Sequence, residues 1–391
     1  MHEMLMRKAT SALVGLLLAG VAATPAHAKT IREQQWHLDA MNADDIWKIS
    51  TGKGVTVAVI DTGVDKIPEL EGQVLRGKNF TSASIPGDER TDYDTHGTSM
   101  AAIIAGSGKG PKGAGSAFGL APGAKILPLR VDINGNGASK DTTLIDAIRF
   151  AADSEAKVLN ISLVGWPETK ELTDAVRYAL GKGKLIFAGV GNDGAGHIYH
   201  PAGTPGVVGV AAVGPDGAAT KESQHNASVD LSAPGIDILT GCSGGTGLCK
   251  SHGTSDATAL ASASAALLWS AHPEWTNNQV LRVLLNTAGK PTDGVQRNDY
   301  IGYGIVRPKV ALPTPGDPGP ADVFPLPDLA AAEAKNSPAP SADAKAPESL
   351  APQAEAKADG VSGMTWIALG LGACVLVGGA VTAVIVRRRN G

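Results

Sequence analysis

Four short runs of apolar residues recur along the middle of the chain. Each run is nearly continuous rather than alternating, which is typical of strands that are buried on both faces of a parallel sheet. The runs are VTVAVI (55–60), KVLNISL (157–163), KLIFAGV (184–190) and GVVGVAAV (206–213). The pattern therefore predicts a mostly parallel central sheet.

Between these runs, apolar residues recur at the spacing of a helix face. One set follows Asp141, a residue type that caps helices, and the other ends at Gly181. The two sets are Leu144, Ile145, Ile148 and Ala152, and Leu172, Val176 and Leu180. Alternating strands and helices predict an α/β fold with helices on both faces of the sheet. In such folds, functional sites form at the carboxyl ends of the strands.

The amino-terminal residues have the pattern of a secretory signal peptide over 1–28. Arg7 and Lys8 supply positive charge, residues 11–23 are uncharged and mostly apolar, and residues 26–28 form an A-x-A cleavage site. The apolar run is short for a bilayer span. We therefore expect cleavage at that site, with an uncleaved anchor as the alternative.

The carboxyl end of the chain predicts one transmembrane helix. Residues 361–386 carry no charge and are long enough to cross a bilayer. Arg387, Arg388 and Arg389 follow directly, within the short tail 387–391. Because such positive residues stay in the cytoplasm, we expect a single-pass cell-membrane protein. Its main domain would be extracytoplasmic and its carboxyl terminus cytoplasmic.

Composition separates a globular domain from the segment that leads to the membrane. Residues 312–360 are rich in Ala, Pro, Glu, Lys and Ser, a composition that buries too little apolar surface to order itself. We predict a disordered stalk there and one globular domain over 29–311. A short amino-terminal extension, 29–54, is expected to wrap around that domain, with Trp36 and Trp47 as anchors.

Charge and cysteine content narrow the possible partners. A formal net charge of −4 and a pI near 6.1 argue against a nucleic-acid-binding protein, which would carry a basic face or tail. Cys242 and Cys249 flank SGGTGL outside the predicted membrane span, and we predict a disulfide between them. A metal site that includes the nearby His252 is the alternative, although two thiols are few for structural zinc. We expect no metal and no cofactor.

Four polar side chains lie where strands end or helices begin. Asp61 ends the first apolar run, and His96 precedes an apolar helix. Asn192 follows a buried strand in a glycine-rich turn, and Ser255 begins a long helix of small residues. Each residue has a purely structural explanation as a turn, a cap or a left-handed position. Together they supply the groups that acyl transfer needs.

The chemistry assigns a role to each of these four groups. A serine hydroxyl becomes a nucleophile when a base takes its proton, and an acid fixes the tautomer of that base. We therefore predict Ser255 as the nucleophile, His96 as the general base and Asp61 as its orienting acid. The Asn192 amide and the Ser255 backbone N–H would hold the oxyanion, helped by the positive amino end of the helix.

At these residues the chain resembles the subtilisin-like serine proteases, and the order Asp61, His96, Ser255 is the subtilisin order. The matching motifs cover essentially the whole globular domain. They are VAVIDTGVD (57–65), HGTSMA (96–101), GLAPGAKILPLRV (119–131), NISL (160–163), GVGNDG (189–194), SAPGIDI (232–238), GTSDATA (253–259) and GYGIVRPKVAL (302–312). The resemblance implies a subtilisin-like fold and a serine endopeptidase that acts on a peptide or protein substrate through an acyl-enzyme.

The resemblance also implies a substrate pocket and a cellular setting. Ser162 and Leu163 match the strand that lines the primary pocket in that family, and Gly165 lies in the same stretch. The order of segments resembles the mycosins, which are membrane-anchored proteases associated with type VII secretion in actinobacteria. Two functions stay open: an active protease near a type VII secretion complex, or a mainly structural component of that complex with little turnover.

The residues around the nucleophile depart from the family pattern. Asp256 stands where an apolar residue is usual, and Ala259 replaces a usual proline at little cost because alanine favours helices. Asp256 has two interpretations: a favourable interaction with the helix dipole, or a charge that raises the pKa of His96 or repels an acidic substrate. His252, three residues before Ser255, is a rival base without an evident acid of its own.

Overall fold

The computed structural model describes residues 29–133 and 138–336. The predicted signal peptide (1–28), the later part of the stalk, the membrane helix (361–386) and the tail (387–391) lie outside the described residues. Within the two described ranges, no helix combines the length and the apolar character that crossing a bilayer requires.

Eleven strands are present in the described part of the chain. In chain order they are β1 (Thr56–Asp61), β2 (Lys78–Asn79), β3 (Ser107–Lys109), β4 (Gly115–Phe118), β5 (Lys125–Arg130), β6 (Val158–Ile161), β7 (Leu185–Gly189), β8 (Val208–Val213), β9 (Leu231–Pro234), β10 (Ile238–Gly241) and β11 (Leu248–Ser251). Seven of these described strands form one sheet in the order β2-β5-β1-β6-β7-β8-β9, with every neighbouring pair parallel. The remaining strands form the antiparallel hairpins β3–β4 and β10–β11. The predicted parallel sheet is confirmed.

Nine α-helices lie within the described residues, joined by three short 3₁₀ segments (Arg32–Gln34, Pro68–Leu70 and Pro111–Gly113). In chain order the helices are α1 (Trp36–Ala40), α2 (Ala43–Ile46), α3 (His96–Ala105), α4 (Ala138–Asp153), α5 (Lys170–Gly181), α6 (Thr254–Ala271), α7 (Asn277–Thr287), α8 (Pro308–Ala311) and α9 (Pro327–Asn336). The α3, α6 and α7 helices pack on one face of the large sheet, and α4 and α5 pack on the other. Helices therefore cover both faces, as predicted.

Strand β1 shows why the apolar runs are continuous and where the site lies. Val57 and Val59 face the core beside α6, whereas Ala58 and Ile60 face the core beside α4 and α5, because side chains alternate across a strand. The β1 strand also pairs with β5 on one side and β6 on the other, so the order of strands reverses beside it. A crevice forms outside the carboxyl ends of strands at such a reversal, and Asp61 ends β1 there.

Helix α6 is buried along nearly its whole length. Between Thr254 and Trp269, every residue except Ser255 is buried. Small side chains let the helix pack closely against α3 and against β6 to β9. The end of β7 makes room for it, since a Cβ at Gly189 would lie 3.0 Å from Thr254 Oγ1. The start of α6 is therefore fixed against the carboxyl edge of the sheet.

The amino-terminal extension is held by side-chain hydrogen bonds to backbone groups. Trp36 Nε1 donates to the Ile236 carbonyl at 3.0 Å, and Trp47 Nε1 donates to the Leu120 carbonyl at 2.8 Å. Both predicted anchors are thus in place. Gln35, which the sequence did not single out, is fully buried and joins the extension to the Phe118 backbone at 2.8 and 3.0 Å.

The ordered structure continues past residue 312, so the predicted start of the stalk is wrong. Arg282 on α7 donates from Nη1 to the carbonyls of Pro318 (2.7 Å) and Pro320 (2.8 Å). Helix α9 follows, and its Asp328 accepts a hydrogen bond of 2.8 Å from the Gly206 N–H. The proline-rich segment is ordered because its backbone carbonyls find donors on the domain, which composition does not reveal.

Candidate active site

The pairing of Asp61 with His96 forms the first half of the site. Asp61 is fully buried, and its Oδ1 lies 2.8 Å from His96 Nδ1. The same oxygen accepts a hydrogen bond of 2.8 Å from the Thr62 backbone N–H. A Cβ at Gly97 would lie 2.2 Å from the Gly63 carbonyl oxygen, so glycine is required for α3 to start this close to β1. The His96 side chain is 30% exposed, which leaves the ring accessible.

Asp92 is a supporting residue that the sequence analysis missed. Its Oδ1 accepts from Thr62 Oγ1 (2.7 Å), and its Oδ2 accepts from Thr98 Oγ1 (2.6 Å) and the Thr98 backbone N–H (2.8 Å). The Thr62 hydroxyl in turn accepts from the Gly97 N–H at 3.0 Å. Asp92 therefore ties the first turn of α3 to the end of β1 and fixes the angle at which His96 meets Asp61. The one feature of the sequence that could have indicated this role is the position of Asp92 four residues before His96.

The electrostatics of the site favour a protonated His96. Burial opposes the charged ring and is the largest single effect, but the charge and hydrogen bond of Asp61 and the charges of Asp256 and Asp94 outweigh it and raise the pKa of His96 to about 9. An imidazolium stabilised in this way suits a base that must hold a proton during acyl transfer. Because the neutral ring is the active base, reactivity should increase as the pH rises.

Ser255 lies on the first turn of α6 and is partly exposed between buried neighbours. Its Oγ donates a hydrogen bond of 3.0 Å to the Ser162 carbonyl, and Ser162 Oγ donates one of 3.0 Å to the Ser255 carbonyl. The nucleophile is therefore bonded to the end of β6, and none of the hydrogen bonds among the described residues joins it to His96. Catalytic hydrogen bonds are often absent before substrate binds, and rotation about χ1 redirects a serine hydroxyl.

Asn192 and the start of α6 form the second half of the site. The Thr254 backbone N–H donates to Asn192 Oδ1 at 2.8 Å, which fixes the amide and leaves its Nδ2 group as the donor. Neither Asn192 Nδ2 nor the Ser255 N–H has an acceptor among residues 29–133 and 138–336. Two unused N–H donors beside the amino end of a helix are groups of the kind that stabilises an oxyanion.

The predicted pocket residues have different surroundings. Ser162 is buried beside Ser255, and its Oγ also accepts 3.0 Å from Asn160 Nδ2. The Leu163 side chain is 8% exposed and belongs to the core under α4 and α5, which leaves mainly its backbone for contact with a substrate. Gly165 has φ +98°, a conformation that favours glycine. The structure brings Ser162 to the nucleophile and places Leu163 and Gly165 directly after it.

The predicted disulfide between Cys242 and Cys249 is not formed in this structure. Both residues are free thiols. Burial and the neighbouring Cys249 thiol raise the pKa of Cys242 to about 12, so its reactive thiolate is scarce. The two groups are neighbours across the β10–β11 hairpin, and their joining would require an oxidant.

The alternatives of a metal site and of His252 as the base concern the residues around the two cysteines and the nucleophile. Among the described residues, no group of three or more His, Cys, Asp or Glu side chains is arranged to hold a metal ion. His252 does have an acid, contrary to expectation, because its Nδ1 lies 2.9 Å from Glu222 Oε1. That hydrogen bond is the main reason why its pKa is raised. His252 is exposed and Glu222 is half-buried, whereas the acid that pairs with His96 is fully buried.

Comparison with known proteins identifies the family. Residues 52–304 match the family model described as "Subtilase family", which covers more than half of the chain. The chain belongs to the subtilase family. This subtilase is 35% identical over 266 residues to "Thermophilic serine proteinase" of Bacillus sp. (strain AK1), covering 67% of this chain and 63% of the relative. It is 31% identical over 262 residues to "Subtilisin Savinase" of Lederbergia lenta, covering 67% and 91%. The subtilase thus spans less than two thirds of the length of the first relative.

Solved structures extend the comparison to the fold. MycP1 from Mycobacterium smegmatis has a TM-score of 0.66 to this subtilase and is 27% identical, covering 76% of this chain and 89% of MycP1. MycP3, described as a protease from the type VII (ESX-3) secretion system, has a TM-score of 0.63 and is 31% identical, covering 74% and 90%. These similarities confirm the predicted subtilisin-like α/β fold and the resemblance to the mycosins.

Proposed function

We propose that this subtilase is a serine endopeptidase that cleaves peptide bonds through an acyl-enzyme. The observation that carries the proposal is the 2.8 Å hydrogen bond between buried Asp61 and His96, set at the same edge of the sheet as Ser255. An acid, an imidazole and a hydroxyl at a helix amino end are the parts that this chemistry needs. The two unused N–H donors beside the hydroxyl complete the set.

The mechanism assigns one task to each group. Ser255 Oγ leaves the Ser162 carbonyl and attacks the substrate carbonyl carbon while His96 accepts its proton. The negative charge that develops on the substrate oxygen is held by Asn192 Nδ2 and the Ser255 N–H. His96 then gives its proton to the leaving amine, and a water molecule hydrolyses the acyl-enzyme by the same route in reverse. Asp61 keeps Nδ1 protonated, so that the other ring nitrogen faces the reaction.

We further propose that the protein works at the outer side of the cell membrane, beside a type VII secretion system. The similarity to MycP1 and MycP3 supports this setting, because one MycP1 structure is described as an essential component of the type VII (ESX-1) secretion system. The signal pattern over 1–28 and the uncharged segment 361–386 with its following arginines support an anchored, extracytoplasmic domain. The natural substrate would then be a protein delivered near that membrane.

Active-site labelling tests the enzymatic proposal. Full-length protein is treated with a fluorophosphonate probe, which reacts with activated serines. We expect labelling of the wild type and of Ser270→Ala, a variant of another serine on α6 whose Oγ bonds the Lys53 carbonyl. Labelling should vanish in Ser255→Ala. Equal labelling of Ser255→Ala and wild type would contradict the assignment of the nucleophile.

The alternative function is a structural part of a secretion complex with little turnover. The observation that favours it is the hydrogen bond from Ser255 to the Ser162 carbonyl, which holds the hydroxyl away from the base. If folded wild-type protein remains unlabelled at every pH, this alternative gains and the protease proposal fails. Localisation is tested separately: the protein should stay with membranes after a carbonate wash and be digested by protease added to intact cells. A soluble or fully protected protein would refute the membrane proposal.

A further inference from the structure

Asp256, directly after the nucleophile, is a buried acid with half of its hydrogen-bonding capacity unused. The residue has no exposed surface, and its Oδ1 accepts a hydrogen bond of 2.7 Å from Ser251 Oγ. Its Oδ2 is buried and has no hydrogen-bond partner in the described parts of the chain. An acid buried in this way is costly unless it is neutral or balanced by a nearby positive charge. A residue with no more than a helix-dipole role would not need such burial.

The surroundings of Asp256 connect it to the base. Ser251, which donates the hydrogen bond to the Asp256 carboxyl group, lies on β11. The same strand places Cys249 Sγ 3.8 Å from Ser99 Oγ on α3. Helices α3 and α6 pack against each other. The β11 strand therefore contacts both α3, through Ser99, and the Asp256 carboxyl group on the first turn of α6. The titratable groups that act on Asp256 or on His96 from the neighbouring elements are Asp61, Asp94, Glu222 and His252. Most of them are negative or neutral.

We propose that Asp256 is a positioning residue for the base: its carboxylate, held by Ser251, acts on His96 through the protein interior and sets the pH range in which His96 accepts the proton of Ser255. The inference rests on the proposed role of His96 as general base. It adds a second acid to the active site, at a position where the family has an apolar residue. The acid acts by its charge and does not touch the substrate.

The ionisation properties of both groups support this coupling. Burial raises the pKa of Asp256 to about 7, opposed by the Ser251 hydrogen bond and by the charge of His96. The charge of Asp256 is also among the effects that raise the pKa of His96. Asp256 therefore loses its proton near neutral pH. Its negative charge then keeps His96 protonated up to a higher pH. Removing the carboxylate should make the neutral, reactive ring available at a lower pH.

The test is the pH dependence of Ser255 labelling by the fluorophosphonate probe in the full-length protein. We expect the midpoint at which the labelling rate rises to move down by about 0.5 to 1 pH unit in Asp256→Asn. This variant keeps the shape of the side chain and an acceptor for Ser251. The matched control is Asp94→Asn, because Asp94 also acts on His96 but is exposed. Its smaller shift should disappear in about 1 M salt, whereas the shift of Asp256→Asn should persist.

A second variant keeps the inference testable if Asp256→Asn does not fold. Ser251→Ala removes the donor that stabilises the Asp256 carboxylate, so it should move the midpoint in the same direction by a smaller amount. A midpoint equal to wild type in a folded, labelled Asp256→Asn or Ser251→Ala protein would overturn the inference and assign a purely structural role to Asp256. Failure of the proposed function is distinct, since the wild type itself would then show no Ser255 labelling.

Discussion

Replacement of Gly253 by alanine tests whether the oxyanion donors are built as we describe. Gly253 precedes α6 with φ +117° and ψ 179°, a region that is essentially restricted to glycine. A Cβ at this position would lie 2.8 Å from Asn192 Nδ2. The substitution therefore strains the backbone and pushes the Asn192 amide away, while leaving Asp61, His96 and Ser255 chemically intact.

The expected loss has two separable parts. The backbone strain should cost about 1 to 3 kcal/mol of folding free energy, measured by urea unfolding. The displaced donor should lower the labelling rate and the kcat/KM for peptide substrates by about 10²- to 10³-fold, the typical effect of losing one oxyanion donor. KM should change little, because the oxyanion forms only in the transition state.

Gly294 provides the matched control. It has φ +82°, but a Cβ there would meet nothing within 4 Å. Gly294→Ala should therefore show a strain cost in stability and keep wild-type activity. If folded Gly253→Ala retains activity within about threefold of Gly294→Ala, the reasoning about Asn192 is wrong.

Three further predictions concern the base and the amino-terminal extension. Asp61→Asn should lower kcat/KM by about 10⁴-fold, because the amide no longer selects the reactive tautomer of His96; a loss under tenfold would contradict that role. Gln35→Ala should lower the free energy of unfolding by about 2 to 4 kcal/mol in urea titrations, because its hydrogen bonds to buried backbone groups are lost; an unchanged midpoint would show that the extension is held elsewhere. Burial lowers the pKa of His37 to about 3, so between pH 6.5 and 3 the unfolded state binds the proton and acid removes stability. In urea unfolding at a series of pH values, His37→Gln should reduce the decline of the unfolding free energy with acid by up to about 1.4 kcal/mol per pH unit. A decline equal to that of the wild type would contradict the role of His37.

The sequence predicted the elements whose patterns are local. The apolar run that ends at Asp61 and the apolar helix that begins at His96 are each visible in short windows, and a parallel sheet brings such ends to one edge. Asn192 and Ser255 were predicted for the same reason. All four lie at strand ends or helix starts, so their placement at the carboxyl edge of the sheet required no knowledge of the loops.

The residues that sequence reasoning missed depend on contacts between distant segments. Asp92 acts through a loop that folds back onto Thr62, and Gln35 bonds the backbone beside a hairpin far along the chain. The acid partner of His252 comes from Glu222, thirty positions away. The order of residues 312–336 depends on donors from α7, although their composition resembles that of a disordered segment. Hydrogen bonds of this kind leave no periodic signal.

The enclosure of α6 has a consequence for how the protein loses its reactivity. Because α6 is buried and packs against α3 and the sheet, it cannot shift or tilt unless the hydrophobic core unfolds. The Ser255 hydroxyl therefore keeps its position for as long as the core stays folded. Heat or denaturant should then abolish probe labelling in the same single step that exposes the tryptophans. A gradual loss of labelling before the unfolding transition would mean that α6 moves independently of the core.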